Sequence, residues 1–253
     1  MPNYRYLSLF ILPFMLSGPV WAADGDLDGP QILALAREAA GGDDWANAQT
    51  LMLSGRAVFY GPTGYKPRSI ASDYRMWREF DPDRNIAHGA DGKVRIIAKN
   101  DGKLIFEVGY DGETTWTEKG ITPKAQADKF WASNFGFGII RQAQQPGFVA
   151  NRLPDDDIGG HAIYKVELVD PTGGKTQFGI DQQSYAIRTM GFRTPKGWHL
   201  RVYDDFVRLQ KPRWLQSRHV TLYYDGKKSN EVFWEKTTVN QVIAPAIFRS
   251  PPP

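Results

Sequence analysis

The spacing of apolar residues predicts a helix at residues 29–40. Apolar side chains recur there every three or four positions, Pro30 suits the first turn, and Gly41-Gly42 follows the last periodic residue. The apolar stripe consists of Ile32, Leu33, Leu35, Ala36, Ala39 and Ala40. We therefore expect the first helix of the folded domain at residues 29–40.

Beyond this helix the apolar residues alternate with polar ones, which is the period of a half-buried strand. One predicted strand places Leu51, Leu53, Ala57 and Phe59 on one face. The next places Tyr74, Met76 and Phe80 on one face and Asp73, Arg75 and Glu79 on the other. Later strands are predicted near 161–169, 175–181, 184–192, 198–208, 214–224 and 229–238.

Asp-Gly pairs separate many of these alternating segments. The pairs are Asp91-Gly92, Asp101-Gly102, Asp111-Gly112 and Asp225-Gly226. Asp-Gly readily adopts the positive φ angles of tight hairpins, and the first three pairs are ten residues apart, which predicts an antiparallel meander. Residues 154–160, rich in Asp, Gly and Pro, are predicted to form a turn-rich joint.

A helical pattern interrupts the strands at residues 122–143. Thr122 and Pro123 suit its start, Gly136 and Gly138 are expected to bend or end it, and Pro146-Gly147 closes the segment. Its apolar positions are Ala125, Ala127, Phe130, Trp131, Phe135, Ile139 and Ile140. No linker, repeat or low-complexity stretch divides the chain, so the pattern predicts one domain with a large antiparallel sheet and few helices.

The N-terminus resembles a secretory signal. Arg5 precedes an apolar run at residues 7–16, which is too short to span a bilayer, and small residues at Val20 and Ala22 fit cleavage after Ala22. We expect a signal peptide at residues 1–22, a single domain at residues 23–253 and a soluble mature protein in the periplasm.

Composition excludes some functions and leaves others open. The 253 residues include no cysteine, so we expect neither a lipid-modified N-terminal cysteine nor a disulfide. The formal net charge is +3 with acids and bases mixed, which argues against a nucleic-acid partner. The 14 Phe, 11 Tyr and 8 Trp could build a core or line an apolar cavity, and composition does not choose between these uses.

Candidate sites for metals and catalysis are weak. Residues 24–29 match the start of a calcium loop, but Leu35 occupies the position of the bidentate glutamate. The run Asp155–Asp157 is interpreted as a polar turn. Four histidines lack the spacing of a zinc site on one element: His88, His161, His199 and His219. No nucleophile elbow or phosphate-binding glycine loop is present, so we predict a non-enzymatic protein without metal or cofactor.

The aromatic stripe of the 122–143 segment is the best candidate for function. Its apolar residues could pack on the sheet as ordinary core. They could instead form a lid over an apolar cavity that holds an acyl chain or another apolar ligand. Both interpretations fit the pattern.

Taken in order, the segments resemble the periplasmic lipoprotein-carrier superfamily with the LolA/LolB-like fold. The likeness begins with Ala39-Ala40-Gly41-Gly42, Trp45 and Leu53-Ser54-Gly55. It continues through the hairpin at 110–116, the mid-chain helix, and the segments 163–168 and 178–185. It ends with 239–248, followed by prolines, and so covers nearly all of the mature chain.

The resemblance implies a mainly β fold: a half-open antiparallel β-barrel of about eleven strands, with an N-terminal helix and a mid-chain lid helix. It also implies an apolar cavity that binds lipid chains. No residue matches a functional position of the family, so candidate cavity and lid residues are chosen by pattern alone. They are Phe130, Trp131, Phe135, Ile139, Ile140, Met76, Phe106, Trp116, Tyr164 and Phe178.

The leading functional prediction is periplasmic binding and transport of a lipid, a lipoprotein or another apolar ligand. Its partners would be lipid or lipoprotein acyl chains, with transient membrane contact. The alternative is a regulatory or structural module that contacts a protein partner, for example at an edge strand. Bound ligand would favour the first function and a co-purified protein the second.

Overall fold

The computed structural model describes residues 27–134 and 137–250. The predicted signal peptide and Phe135 lie outside the described residues. Within the described part of the chain, thirteen strands form one antiparallel sheet with the order β6-β5-β4-β3-β2-β1-β13-β12-β11-β10-β9-β8-β7.

The first seven strands are β1 (Thr50–Tyr60), β2 (Pro67–Glu79), β3 (Lys93–Asn100), β4 (Lys103–Tyr110), β5 (Thr115–Thr117), β6 (Gly120–Ile121) and β7 (Val149–Ile158). The others are β8 (His161–Val169), β9 (Lys175–Asp181), β10 (Ile187–Thr194), β11 (Gly197–Gln210), β12 (Arg213–Tyr224) and β13 (Lys227–Val239). The helices are α1 (Gly29–Ala40), α2 (Asp43–Ala46), α3 (Lys124–Asn134) and the 3₁₀ helices Phe137–Gln142 and Pro245–Phe248.

Helix α1 has the bounds that its sequence predicts. Asp28 and Gln31 form a capping box, in which each side chain accepts a hydrogen bond of 2.8 Å from the backbone N–H of the other. Gly41 ends the helix with a φ of 140°, which favours glycine. The helix packs its apolar side against β7, β8 and β12. Asp28, the last acidic residue of the calcium-like segment, is therefore a helix cap.

The predicted faces of the first two strands are confirmed except at Phe80, which lies beyond the end of β2. Leu51, Leu53 and Ala57 are buried on one side of β1, and Tyr74 is buried on β2. The register shifts between Ser54 and Gly55, so β1 carries an irregularity opposite β13.

Two of the Asp-Gly pairs form the expected tight hairpins. Asp101-Gly102 joins β3 to β4 with φ angles of 47° and 77°, and Asp225-Gly226 joins β12 to β13 with 45° and 74°. The hairpin prediction is wrong for Asp91-Gly92, which ends the long connection 80–92. The Asp91 side chain is buried among arginines, and this contact shapes the connection more than turn propensity does.

The turn-rich joint predicted at 154–160 is also wrong. Strand β7 runs through to Ile158 and pairs with β8, with a register shift between Leu153 and Asp156. Pro154 is tolerated because β7 is the outermost strand, where a missing N–H costs no ladder bond. The turn itself is formed by Gly159 and Gly160 with φ angles of 62° and 83°.

The mid-chain helix is shorter than the predicted 122–143. Helix α3 ends at Asn134, and a separate 3₁₀ helix follows at Phe137–Gln142. At the end of α3, the side chains of Ser133 and Asn134 donate hydrogen bonds to the carbonyl groups four residues earlier, at 2.8 and 2.7 Å. The 3₁₀ helix then buries Ile139 and Ile140 in the main core.

The sheet curves strongly. Ile96 on β3 and Ile187 on β10 line one internal space, although these strands are six places apart in the sheet. In a flat sheet they would be about 29 Å apart at the usual strand spacing. The backbone N–H of Ala87 also donates to Asp170 Oδ2 at 2.7 Å, which joins the 80–92 connection to the β8–β9 connection.

The predicted mainly β, half-open antiparallel architecture is therefore confirmed, with thirteen strands rather than about eleven. Among residues 27–134 and 137–250, a helix with the length and apolarity of a membrane span is absent. The same residues contain no cluster of three or more His, Cys, Asp or Glu side chains suited to a metal ion.

Candidate functional site

A cavity of about 210 Å³ lies within the curve of the sheet. Strands β1 to β3 and β10 to β13 form its wall, together with the end of α1, α2 and the first 3₁₀ helix. Most of the lining is apolar and aromatic. Representative lining side chains are Leu53, Tyr74, Ile96, Tyr203, Trp214 and Trp234.

Three arginines interrupt this apolar lining: Arg78, Arg141 and Arg201. No carboxylate side chain is among the described residues that line the cavity. The electrostatic character of the site therefore depends on how each guanidinium is compensated.

Arg78 is compensated by Asp91 behind the wall. Its Nη2 donates to both carboxylate oxygens at 2.8 and 2.9 Å, and Arg84 Nη1 donates to the same carboxylate. Burial raises the pKa of Asp91, but the Arg78 and Arg84 charges outweigh that effect and hold the pKa below its usual value. Burial also lowers the pKa of Arg84. One carboxylate thus neutralises only one of two buried cations.

Arg141 forms no ion pair among the described residues. Its guanidinium lies 3.4 Å from the Phe80 ring centroid and 5.7 Å from that of Trp45, so both contacts are cation–π interactions. Its Nη1 also donates to the Ala48 carbonyl at 3.4 Å. Burial, reinforced by the Arg78 charge, lowers the pKa of Arg141 to about 9.

Arg201 is held by hydrogen bonds to neutral groups. Its Nε donates to His199 Nε2 at 3.2 Å, and the fully buried His199 faces the Ser133 carbonyl through Nδ1 at 3.0 Å. An arginine can only donate, so Nε2 accepts and Nδ1 carries the proton. Burial and the Arg201 charge lower the pKa of His199 to about 2, so the imidazole is neutral.

The C-terminal end of helix α3 is bonded to strands on both sides of the open edge of the sheet. Trp131 Nε1 donates to Thr115 Oγ1 on β5 at 2.7 Å. Two residues later, the Ser133 carbonyl accepts hydrogen bonds from His199 on β11 and from the Tyr224 hydroxyl on β12, the latter at 2.9 Å. Strands β5 and β11 are seven places apart in the sheet, so α3 bridges its two halves.

The packing of α3 connects it to the cavity. Trp131 belongs to a small buried cluster with Val94, Val108 and Ala127. Met76 and Ile96 pack against that cluster, and both also line the cavity. Helix α3 therefore covers the β2–β3 side of the cavity, and Met76 and Ile96 lie between the helix and the cavity.

The predicted lid and cavity residues occupy different places. Met76 lines the cavity. Trp131 lies in α3, and Phe130 beside it is 37% exposed. Phe106 packs against both buried clusters and contacts the edge of Phe59 at 5.6 Å between ring centroids. Ligand binding by these residues stays a prediction.

The other predicted residues are packed in the interior and are not among the cavity lining. Ile139, Ile140, Tyr164 and Phe178 belong to the main core. Trp116 is fully buried on β5, and its Nε1 donates to the Phe248 carbonyl at 2.9 Å. Phe135 lies outside the described residues.

The arginines of the site were not among the sequence predictions, although a signal existed for two of them. Arg78 has the same parity as Tyr74 and Met76, so it falls on the apolar face of its strand. Arg201 likewise alternates with His199. A cation on the apolar face of a predicted strand is the sequence pattern that indicates Arg78 and Arg201 as interior residues.

Comparison with known proteins shows likeness in fold only. No family model matches the chain, and no curated protein matches its sequence. A domain named for outer membrane lipoprotein sorting, from Vibrio parahaemolyticus, aligns with a TM-score of 0.54 at 12% identity, covering 87% of this chain and 95% of that one.

Two further structures align to a similar extent. A LolA superfamily protein from Nitrosomonas europaea gives a TM-score of 0.52 at 12% identity over 89% of this chain and 99% of that one. A DUF1329 family protein from Desulfovibrio piger gives 0.53 at 9% identity over 88% and 98%. Because each alignment spans most of both chains, the protein has the LolA-like fold.

Proposed function

We propose that this protein binds and carries the acyl chain of a lipid or lipoprotein, without catalysis, as a single domain in the periplasm after loss of residues 1–22. The observation that carries the proposal is the apolar cavity in the curve of the sheet, which α3 covers on one side. The fold shared with a domain named for lipoprotein sorting supports it.

The lining explains how such a carrier could both bind and release. Apolar surface in contact with water costs about 25 cal/mol per Å², so an acyl chain that displaces water from the cavity is stabilised without directional bonds. Side chains such as Leu53, Met76 and Ile96 offer contacts that are not specific to one chain length. Because such contacts with the acyl chain are not directional, the chain can transfer to an acceptor.

The proposal is tested by filling the cavity. Met76→Trp places a larger side chain at the lining, whereas Arg75→Trp places the same side chain at the exposed neighbouring position on the other face of β2. We expect wild type and Arg75→Trp to bind the neutral apolar dye Nile red and Met76→Trp to bind it at least about tenfold more weakly, with overpacking costing about 1–3 kcal/mol of stability.

Native mass spectrometry of protein exported by a bacterial host provides the second measurement. A retained acyl ligand that disappears in Met76→Trp supports the proposal. Wild-type protein that carries no ligand and does not bind the dye contradicts it.

A second candidate function is contact with a protein partner at β7. This strand is outermost in the sheet, and Val149 on it is 53% exposed. The acidic run Asp155–Asp157 lies on the same strand, and charges on an outer strand oppose pairing with another chain. Ligand binding is therefore the better supported function.

A further inference from the structure

The cavity wall carries more positive charge than the carboxylates of the described residues neutralise. Arg78 and Arg84 lie close enough to Arg141 for their charges to repel it, and Asp91 is the carboxylate beside them. Asp91 pairs with Arg78 and Arg84. Among the described residues, the Arg141 guanidinium contacts aromatic rings and one carbonyl group, and the Asp91 charge attracts it without forming an ion pair.

Arg141 is half-buried, and a cation partly withdrawn from water without an ion-pair partner is costly, because the lost hydration is not repaid by a partner charge. The Phe80 ring and the Ala48 carbonyl offset part of this cost. Desolvation and the Arg78 charge lower the pKa of Arg141 to about 9, in agreement with incomplete compensation by these contacts. An anion brought in by a ligand would complete it.

Arg141 is better placed for this role than the other two lining arginines. Arg78 already holds a carboxylate, and Arg201 donates to His199 and to the Asn134 carbonyl. Arg141 therefore combines a position on the cavity with the least compensated charge.

We propose that the ligand of this cavity is an anionic amphiphile, whose carboxylate or phosphate group binds the Arg141 guanidinium while its apolar chain fills the rest of the space. This inference rests on the proposed function and narrows the ligand class. Guanidinium groups bind carboxylates and phosphates through charge-assisted hydrogen bonds.

The test compares ligands with equal chains and different head groups. Dodecanoate, dodecyl phosphate and the neutral dodecanol are titrated into wild-type protein by calorimetry at pH 7.5, below micelle-forming concentrations. We expect one or both anions to bind about tenfold to hundredfold more tightly than dodecanol, the gain expected of a charge-assisted hydrogen bond. The order of the two anions separates a carboxylate ligand from a phosphate ligand.

Variants assign the preference to one side chain. Arg141→Met should bind all three ligands with the affinity of dodecanol, Arg141→Lys should keep part of the preference, and Arg75→Met, on the exposed face of β2, should match wild type. Intrinsic tryptophan fluorescence gives a second readout of head-group binding, because the Trp45 ring lies 5.7 Å from the Arg141 guanidinium.

The outcomes separate this inference from the proposed function. Wild-type protein that binds dodecanol as tightly as both anions overturns the inference and leaves acyl-chain binding intact. A preference that survives in Arg141→Met overturns the assignment to Arg141. Failure to bind any of the three ligands overturns the inference together with the proposed function. If Arg141→Met does not fold, the comparison of the three ligands on wild-type protein and the reduced preference of Arg141→Lys still test the inference.

Discussion

Replacement of Asp91 by asparagine should destabilise the protein severely. Asp91 contacts both Arg78 and Arg84, and the side chains of the three residues are 4%, 8% and 4% exposed, respectively. The substitution keeps the size of the side chain and removes its charge. Three neighbouring arginines, counting Arg141, would then face one another without an anion.

The expected loss follows from the geometry. At an effective dielectric constant near 20, two unit charges about 4 Å apart interact by about 4 kcal/mol. Asp91 makes two such pairs, but an amide still accepts one hydrogen bond, and the adjacent cavity can admit water. We therefore expect a loss of about 3–5 kcal/mol, the usual cost of removing one partner from a buried ion pair.

Urea denaturation of wild type and Asp91→Asn measures this loss. Asp128→Asn is the matched control, because the side chains of Asp128 and its partner Lys124 are 60% and 87% exposed and water screens their charges. Adding Arg141→Met to Asp91→Asn should recover part of the stability by removing one repelling cation. A difference below about 1 kcal/mol between wild type and Asp91→Asn would refute the reasoning, since desolvated charges would then be screened as well as exposed ones.

The ion pairs of Asp91 also predict that the unfolding free energy depends on pH. The pKa of Asp91 in the folded protein lies below its value in the unfolded chain, about 3.9. Its stabilisation is therefore complete above that value and is lost as the pH falls through the folded pKa. The unfolding free energies of wild type and Asp91→Asn should converge in acid.

Three further changes have defined outcomes. Below about pH 6.5, His199 binds a proton in the unfolded chain but not in the folded protein, where its pKa is about 2, so wild type loses stability as the pH falls. His199→Gln should reduce this loss. Equal slopes of unfolding free energy against pH in the two proteins would contradict the prediction. Trp131→Ala should lower the unfolding free energy by about 3–5 kcal/mol, whereas Trp131→Phe, which loses chiefly the hydrogen bond to Thr115, should cost about 1–2 kcal/mol in the same urea experiment. Asp181→Ala should weaken thermal stability more at neutral pH than near pH 2, because the carboxylate accepts from the Ser184 backbone and, with a pKa of about 2, becomes protonated there. An effect of equal size at both pH values would argue against this.

The regular elements were predictable where their signals are local. Helix α1 follows from the cap residues that flank it, and β1 from the alternation of Leu51, Leu53 and Ala57. Strand β7 was missed because Pro154 and the neighbouring acids are typical of turns. Only the position of β7 at the outside of the sheet makes such residues acceptable in a strand, and that position depends on the whole topology.

The site was predictable only in part. The apolar faces of β1 and β2 indicate an apolar interior, and the parity of Arg78 places a cation within it. The contact between Arg141 and Phe80 depends on how a 3₁₀ helix docks against a distant strand end, which no local spacing encodes. The pairing of Asp91 with Arg84 likewise arises from the path of the 80–92 connection. Sequence spacing reports neighbours along an element, and these contacts join different elements.

The attachment of α3 has a consequence for the rate of ligand exchange. Hydrogen bonds from Trp131, His199 and Tyr224 fasten the end of the helix, and each contributes about 1 kcal/mol net. None of them belongs to the backbone ladders of the sheet. Detaching this helical turn breaks these bonds and uncovers Trp131, but it leaves the strand ladders intact and is therefore a local opening that costs less than global unfolding. A ligand could exchange many times during the lifetime of the folded protein, at a rate set by this turn and not by the stability of the thirteen-stranded sheet.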